Sequence, residues 1–107
     1  MTRVDRPDDV ALESLVTGDE ARSHAFVSRE LRGIDGDDPR SRRLRQTLRA
    51  YFASAQNSSA AAALLGVHEH TVAYRLRTIE ERLGRPVAAR RAELETALRL
   101  MELSERD

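Results

Sequence analysis

The sequence predicts an all-α protein, built as a small helical bundle. Apolar residues recur three and four positions apart along the chain, which is the spacing of one face of a helix. β-branched and aromatic runs are few, and no segment of useful length alternates between apolar and polar residues as a half-buried strand would. Glycine, proline and aspartate residues divide the chain into pieces of helical length.

Length and composition limit the class of protein. The 107 residues suffice for one small domain with a short appended helical region. The chain has no cysteine, which excludes disulfides and thiolate metal sites. The longest apolar run, at residues 60–65, is too short to span a bilayer, and the charged N-terminus lacks the apolar stretch of a signal peptide. We therefore expect a soluble, cytoplasmic protein without a membrane partner.

Charge is unevenly distributed, although the net charge is zero. Residues 1–39 carry five arginines and ten acids (net −5), and residues 92–107 carry two arginines and five acids (net −3). Residues 40–91 between them carry eleven arginines and three acids (net +8). A charge run usually marks a solvated helix face, but a basic block of this size also attracts a polyanion.

Two helices are predicted before the basic block. The first starts after Pro7 and ends at Gly18, and the second starts at Asp19. Their apolar positions are Val10, Leu15 and Val16 in the first helix, and Phe26, Val27, Leu31 and Ile34 in the second. A polar break at residues 33–37 follows, which predicts a boundary between a helical segment at 1–36 and a domain at 37–107.

Four more helices follow the break. Asp38 and Pro39 are a carboxylate N-cap and a first-turn proline, so a third helix starts there. Its apolar face is formed by Leu44, Leu48, Tyr51, Phe52 and Ala55. After turn residues at 56–59, a short alanine-rich helix runs to residue 65, and a fifth helix runs from about residue 69 to Gly84. The last helix spans roughly residues 88–103 and packs on the bundle.

The fourth and fifth helices form the pattern of a helix-turn-helix. Ala61 and Ala62 are small enough for two helices to cross closely, Gly66 tolerates a positive φ at the turn, and Val67 anchors the turn to the core. In the fifth helix, one apolar stripe is formed by Val72, Leu76, Ile79 and Leu83. The opposite face presents His70, Tyr74, Arg77, Thr78 and Glu81.

A helix with one face fixed to a core and a polar strip on the other face can enter the major groove of double-stranded DNA. Its N-terminal half would reach the base edges. The candidates for base contact are His68, Glu69, His70, Ala73, Tyr74 and Arg77. The candidates for phosphate contact are Ser58, Ser59, Thr71, Arg75 and Arg77. An ion pair of Arg75 with Glu80 or Glu81 competes with its phosphate contact.

Two alternatives stay open on the residues alone. The same pattern fits a three-helix bundle without a partner, and it fits a helical protein-protein interaction or dimerisation module without direct DNA contact. Glu69 and the balanced total charge favour the second alternative. The last helix carries Leu94, Leu98 and Met101 on one stripe and Leu100 and Leu103 on another. The second stripe needs cover, so we expect a homodimer, whose recognition helices would lie about 34 Å apart on DNA.

Catalytic and metal-binding residues are not expected. His68 and His70 lie two positions apart, so we expect them not to share a face, and no third ligand is near. The sequence has no cysteine nucleophile, no glycine-rich phosphate loop and no Ser-His-Asp arrangement, and its acidic pairs lie at helix starts, where capping explains them. The protein is therefore predicted not to be an enzyme and to need no cofactor.

Residues 44–103 also resemble the C-terminal helix-turn-helix region of PucR-type bacterial transcription regulators. The resemblance is carried by LRQTLRAYF at the start, by AAALLGVH at the turn, by TVAYRLRTIEERLG and by ALRL near the end. It implies a DNA-binding domain whose recognition helix is at about residues 69–83, and an effector sensed by a region absent from this chain. Residues 1–36 resemble the last helices of the domain that precedes this region. Glu69, His70 and Ala73 depart from the family, where basic residues and an asparagine are usual.

Overall fold

The computed structural model describes the backbone of residues 7–105 and the side chains of residues 19–105. It contains α1 (Pro7–Glu30), α2 (Pro39–Ala53), α3 (Ser58–Leu65), α4 (Glu69–Leu83), one 3-10 turn (Val87–Arg90) and α5 (Arg91–Glu105). No strand occurs in residues 7–105, and the prediction of an all-α fold is confirmed. No helix in this part of the chain is both long enough and apolar enough to cross a membrane.

The N-terminal part corrects the prediction of two helices. α1 is continuous from Pro7 to Glu30 and passes through Gly18 without a break. A glycine inside a helix costs about 1 kcal/mol relative to alanine, but it does not by itself end the helix when its neighbours favour helical backbone. α1 ends instead in a turn that leads to Gly33, whose φ is +105°. The side chains of the predicted first helix, including Val10, lie outside the described ones.

The predicted caps of the later helices are confirmed. A carboxylate oxygen of Asp38 accepts the backbone N–H of Ser41 at 3.0 Å, and Pro39 follows at the first helical position. Gly66 and Gly84 end α3 and α4 in the left-handed conformation, with φ values of +70° and +76°. Each of these helix ends is therefore fixed by a local residue choice.

Two other boundaries differ from the prediction. α2 ends at Ala53, so Ala55 lies in the following turn with a φ of +53° and is exposed rather than part of the apolar face. The last helix begins with the 3-10 turn at Val87, whose N–H donates to a carboxylate oxygen of Glu80 at 2.9 Å. The start of this segment is thus fixed by the side chain of Glu80 on α4, which the sequence around Val87 does not indicate.

Two apolar clusters hold the bundle together. The main core is buried between α2, α4, α5 and the end of α1, and it comprises Leu31, Ile34, Leu44, Leu48, Phe52, Ile79, Val87, Leu94, Ala97 and Leu98. A smaller cluster joins α3 to α4 through Ala61, Ala62 and Val72. α4 contributes Val72 to the small cluster and Ile79 to the main core, so both halves of this helix are fixed.

The end of α1 is tied to the bundle by an ion cluster. Glu30 is 2% exposed, and its carboxylate accepts hydrogen bonds from Arg85 at 2.9 Å and from Arg90 at 2.8 and 3.0 Å. The hydrogen bond and charge of Arg90, with the charge of Arg85, lower the pKa of Glu30 although its burial acts in the opposite direction. Buried Arg45 donates to the carbonyl oxygens of residues 34 and 36, both at 2.7 Å. The division at residues 36 and 37 stays a prediction.

Candidate nucleic-acid interface

The inward stripe of α4 lies where the sequence predicts it. Val72 and Ile79 are fully buried, and Leu76 and Leu83 are partly buried against the two apolar clusters. Because four positions spaced along the helix are packed in this way, the rotation of α4 about its own axis is fixed. The opposite side of the helix is consequently turned towards solvent.

The polar strip on α4 is exposed, with one exception. His70 and Arg77 are exposed, and Tyr74 keeps 55% of its surface accessible. Thr78 is the exception, because it is only 8% exposed and its hydroxyl donates to the carbonyl oxygen of Tyr74 at 3.2 Å. The prediction that Thr78 faces outward is therefore wrong. α2 contacts α4, and Thr78 lies with Leu44 in the lining of a groove between these two helices.

His68 is the N-cap of α4. Its Nδ1 accepts the backbone N–H of His70 at 3.0 Å. A neutral ring that accepts at Nδ1 carries its proton on Nε2, so His68 presents an N–H donor to solvent. The two imidazole centroids lie 4.7 Å apart, and the prediction that these histidines do not share a face is wrong. The described residues contain no group of three or more side chains of the types that bind metals.

Arg75 lies on the flank of α4 that faces α2. It is half-buried, and its Nη1 donates to the hydroxyl of Thr47 at 3.2 Å. Burial and the positive charge of Arg43 both lower the pKa of Arg75. The expected competing ion pair with Glu80 or Glu81 does not form, since the carboxylate of Glu80 is directed to the 3-10 turn.

The basic block divides into two groups of arginines. Seven of its eleven arginines bind another described residue through their guanidinium groups; they are Arg42, Arg45, Arg75, Arg82, Arg85, Arg90 and Arg91. The other four form no side-chain hydrogen bond or salt bridge within the described part of the chain; they are Arg40, Arg43, Arg49 and Arg77. Most arginines of the basic block are therefore engaged within the fold, and four of them have no such partner among the described residues.

Three of these four available arginines lie near the polar strip. Arg77 is on α4 itself, and Arg40 and Arg43 on α2 line a groove together with Tyr74 and Arg75. Sequence reasoning missed Arg40 and Arg43, because their position beside α4 depends on how α2 packs. In the sequence, the position of Arg40 and Arg43 inside the basic block is the only feature that points to a role in binding.

The predicted site residues lie on α3, on α4 and at the cap between them, and they differ in exposure. His68, Glu69 and His70 are exposed at the start of α4, while Thr71, Ala73 and Arg75 are half-buried on its flanks. Ser58 and Ser59 lie in the first turn of α3, half-buried and exposed respectively. Their contacts with DNA stay a prediction.

Comparisons with known proteins agree with this architecture. A family model described as the PucR C-terminal helix-turn-helix domain matches residues 44–100, more than half of the chain. The chain is 38% identical over 76 residues to the transcriptional activator PmfR of Paenarthrobacter nicotinovorans, covering 71% of this chain and 16% of that protein. It is 46% identical over 74 residues to an uncharacterized protein in the pkwA 5′ region of Thermomonospora curvata, covering 68% of this chain and 39% of that protein. No solved structure matches the chain.

Proposed function

This chain belongs to the family of PucR C-terminal helix-turn-helix domains, and on that premise we propose that it binds double-stranded DNA by placing α4 in the major groove. The family comprises domains of transcription regulators rather than enzymes, which supports a DNA-binding role in general. The observation that carries the finer proposal is the exposed strip of His70, Tyr74 and Arg77 on a helix that the core holds at both ends.

The N-terminal half of α4 reads the bases in this proposal. The helix is about 22 Å long at ~1.5 Å per residue, so only its first turns fit deep in the groove. Arg77 lies just past the midpoint of α4, but its long side chain points back towards the N-terminal half and can donate two hydrogen bonds to a guanine. The Nε2 of His68 can donate one hydrogen bond to an acceptor on a base edge. Glu69 is repelled by phosphates, but it can accept from the amino group of a cytosine. Ser58 and Ser59 donate to a phosphate from the start of α3.

The second stripe of α5 supports dimer formation with a second copy of the chain. Leu103 is 46% exposed, and Leu100 lines a groove between α2 and α5. The same groove carries the basic residues Arg49 and Arg99 and the acidic residues Glu95 and Glu102, so a two-fold related copy could pair opposite charges across it. Sedimentation equilibrium measures the mass in solution, and a monomer at the concentration that saturates DNA would contradict the dimer.

The relatives extend well beyond the matched region, since the chain spans 16% of one and 39% of the other. We therefore assign effector sensing to a region outside this chain. Regulation of transcription by such a protein takes place in the cytoplasm of a bacterium, where the chromosome is.

The proposal is tested by titrating labelled duplexes from the gene neighbourhood at two salt concentrations. Binding should weaken steeply as salt rises, because phosphate contacts release counterions. Arg77→Ala should weaken binding and reduce the preference between sequences, while the helical circular dichroism signal stays unchanged. Arg32→Ala is the matched control, since it removes the same charge from an exposed position in the turn after α1.

Two outcomes would contradict the proposal. Wild-type binding that is weak and independent of salt would argue against a DNA-binding role for this region. An Arg77→Ala variant indistinguishable from Arg32→Ala would remove Arg77 from the interface.

The protein-interaction alternative keeps one supporting observation. Leu64 on α3 is 67% exposed, which is the largest exposure among the big apolar side chains of the described residues. If duplexes do not bind while a protein partner protects Leu64 from solvent, this alternative replaces DNA binding.

A further inference from the structure

A groove of about 590 Å³ separates the N-terminal half of α2 from the flank of α4. Its polar lining consists of Asp38, Arg40, Arg43, Thr71, Tyr74, Arg75 and Thr78. We propose that this groove binds a phosphate group, and that in the complex the group is a backbone phosphate of the duplex. The assignment of the phosphate to a duplex rests on the proposed function. The binding of a phosphate group is inferred from the residues of the groove itself.

The groove has an excess of positive charge. Three arginine residues contribute to its lining, against the single acidic residue Asp38. That carboxylate already accepts the N–H of Ser41 at 3.0 Å as the cap of α2. Arg75 is half-buried, and its burial and the charge of Arg43 lower its pKa without an acidic side chain that offsets them. An anion in the groove would relieve the repulsion between the two arginines.

The donors match the geometry of a phosphate. A guanidinium group has five N–H donors in a planar fork, which suits the oxygens of a phosphate. Only Nη1 of Arg75 is bound within the fold, and the Arg43 and Arg40 side chains form no hydrogen bond to a described residue. The hydroxyl groups of Thr71 and Tyr74 add neutral donors on the other wall.

The position of the groove predicts what the contact does. It borders the flank of α4 that begins at Thr71, next to the strip formed by His70, Tyr74 and Arg77. A phosphate held there lies beside the groove of DNA that α4 enters. Contacts to phosphates fix the orientation and register of a protein on DNA but carry no direct sequence information. α2 is thus assigned a part in DNA binding, in addition to α3 and α4.

The test compares Arg43→Gln with Arg32→Gln, which removes the same charge from an exposed position in the turn after α1. Arg43 is exposed and without a partner among the described residues, so the substitution should leave folding intact. Affinity for a duplex should fall roughly tenfold more than in the control, and the slope of log K against log salt should become shallower by about 0.9, the value for one lost phosphate contact. The loss should be equal for preferred and unrelated sequences, unlike the loss in Arg77→Ala.

A second arm separates this inference from the proposed function. Inorganic phosphate is added to the free protein, and the Nε–H signals of Arg43 and Arg75 are followed by NMR. Shifts of both signals, together with the shallower salt slope, support the backbone-phosphate assignment. If the wild type binds duplexes and Arg43→Gln behaves as Arg32→Gln, the inference is wrong while the proposed function stands.

The remaining outcomes are also decisive. If no duplex binds but inorganic phosphate shifts both signals, the proposed function fails, and the groove takes a free phosphate instead of a backbone one. If neither the duplex nor phosphate affects Arg43 and Arg75, both the site and its assignment are overturned.

Discussion

Replacing Glu30 by glutamine keeps the size of the side chain and removes the charge that binds two arginines. Glu30 is 2% exposed, so its carboxylate has little water to compensate for a lost partner. Removing one member of a fully buried pair costs about 3–5 kcal/mol. The side chains of Arg85 and Arg90 are 27% and 42% exposed, and water partly replaces their lost contact. We therefore expect the Glu30→Gln variant to lose about 2 kcal/mol of unfolding free energy.

Thermal unfolding followed by circular dichroism measures this loss. For a domain of this size, 1 kcal/mol shifts Tm by roughly 4–8 °C, so we expect a decrease of about 8–16 °C. Glu95→Gln is the matched control, because Glu95 pairs with Arg91 on the exposed face of α5 at 2.9 Å. An exposed pair at this spacing contributes only about 0.3–0.5 kcal/mol. Equal values of Tm in the two variants would refute the reasoning about the Glu30 cluster.

The difference in Tm between wild type and Glu30→Gln should depend on pH in one direction only. The pKa of Glu30 is lowered in the folded protein, so its contribution to stability is complete above the ordinary glutamate pKa of 4.5. It is lost as the pH falls through the lowered folded value. The gap in Tm between wild type and Glu30→Gln should therefore be constant at neutral pH and close below about pH 4.5. A gap that widens on acidification would contradict the assigned cause.

Two further substitutions test the close packing of the backbone. In Gly33→Ala, the added Cβ would lie 2.4 Å from the carbonyl oxygen of Arg82, at a φ of +105°. Its Tm should fall well below that of Gly84→Ala, where φ is +76° and nothing lies within 4 Å of the added Cβ. Similar values of Tm in the two variants would show that the backbone at Arg82 moves aside at little cost. In Ala61→Leu, the larger side chain would enter the fully buried crossing of α3 and α4. We expect the free energy of unfolding, measured with denaturant, to fall by about 1–3 kcal/mol. Ala63→Leu, at an exposed position of the same helix, should leave it nearly unchanged.

Local residue choices made most helix boundaries predictable. Asp38 caps α2, and Gly66 and Gly84 end α3 and α4, because each acts on backbone groups only a few residues away. Gly18 misled the prediction, because glycine lowers helix stability without specifying an end, and no left-handed cap forms there. The inward stripe of α4 was predictable from its spacing, since helical periodicity follows from backbone geometry alone.

The electrostatics of the site could not be predicted from the sequence to the same degree. The net charge of residues 40–91 does not distinguish Arg90, which binds Glu30 across 60 positions, from Arg43, which is exposed on α2. Thr78 was placed outward because its helical angle permits that position, but it is buried in the fold, at the groove between α2 and α4. Both findings depend on which helices pack together, and this information is distributed over the whole chain.

The junction after α1 has a mechanical consequence. α1 spans 24 residues, or about 36 Å at ~1.5 Å per residue, and its last residue is clamped by two guanidinium groups. Three residues later, the backbone of Gly33 abuts the last turn of α4 at Arg82. The end of α1 is therefore held beside the C-terminal end of α4. A change in the orientation of α1 relative to the bundle would have to break the Glu30 ion cluster or displace the backbone near Arg82.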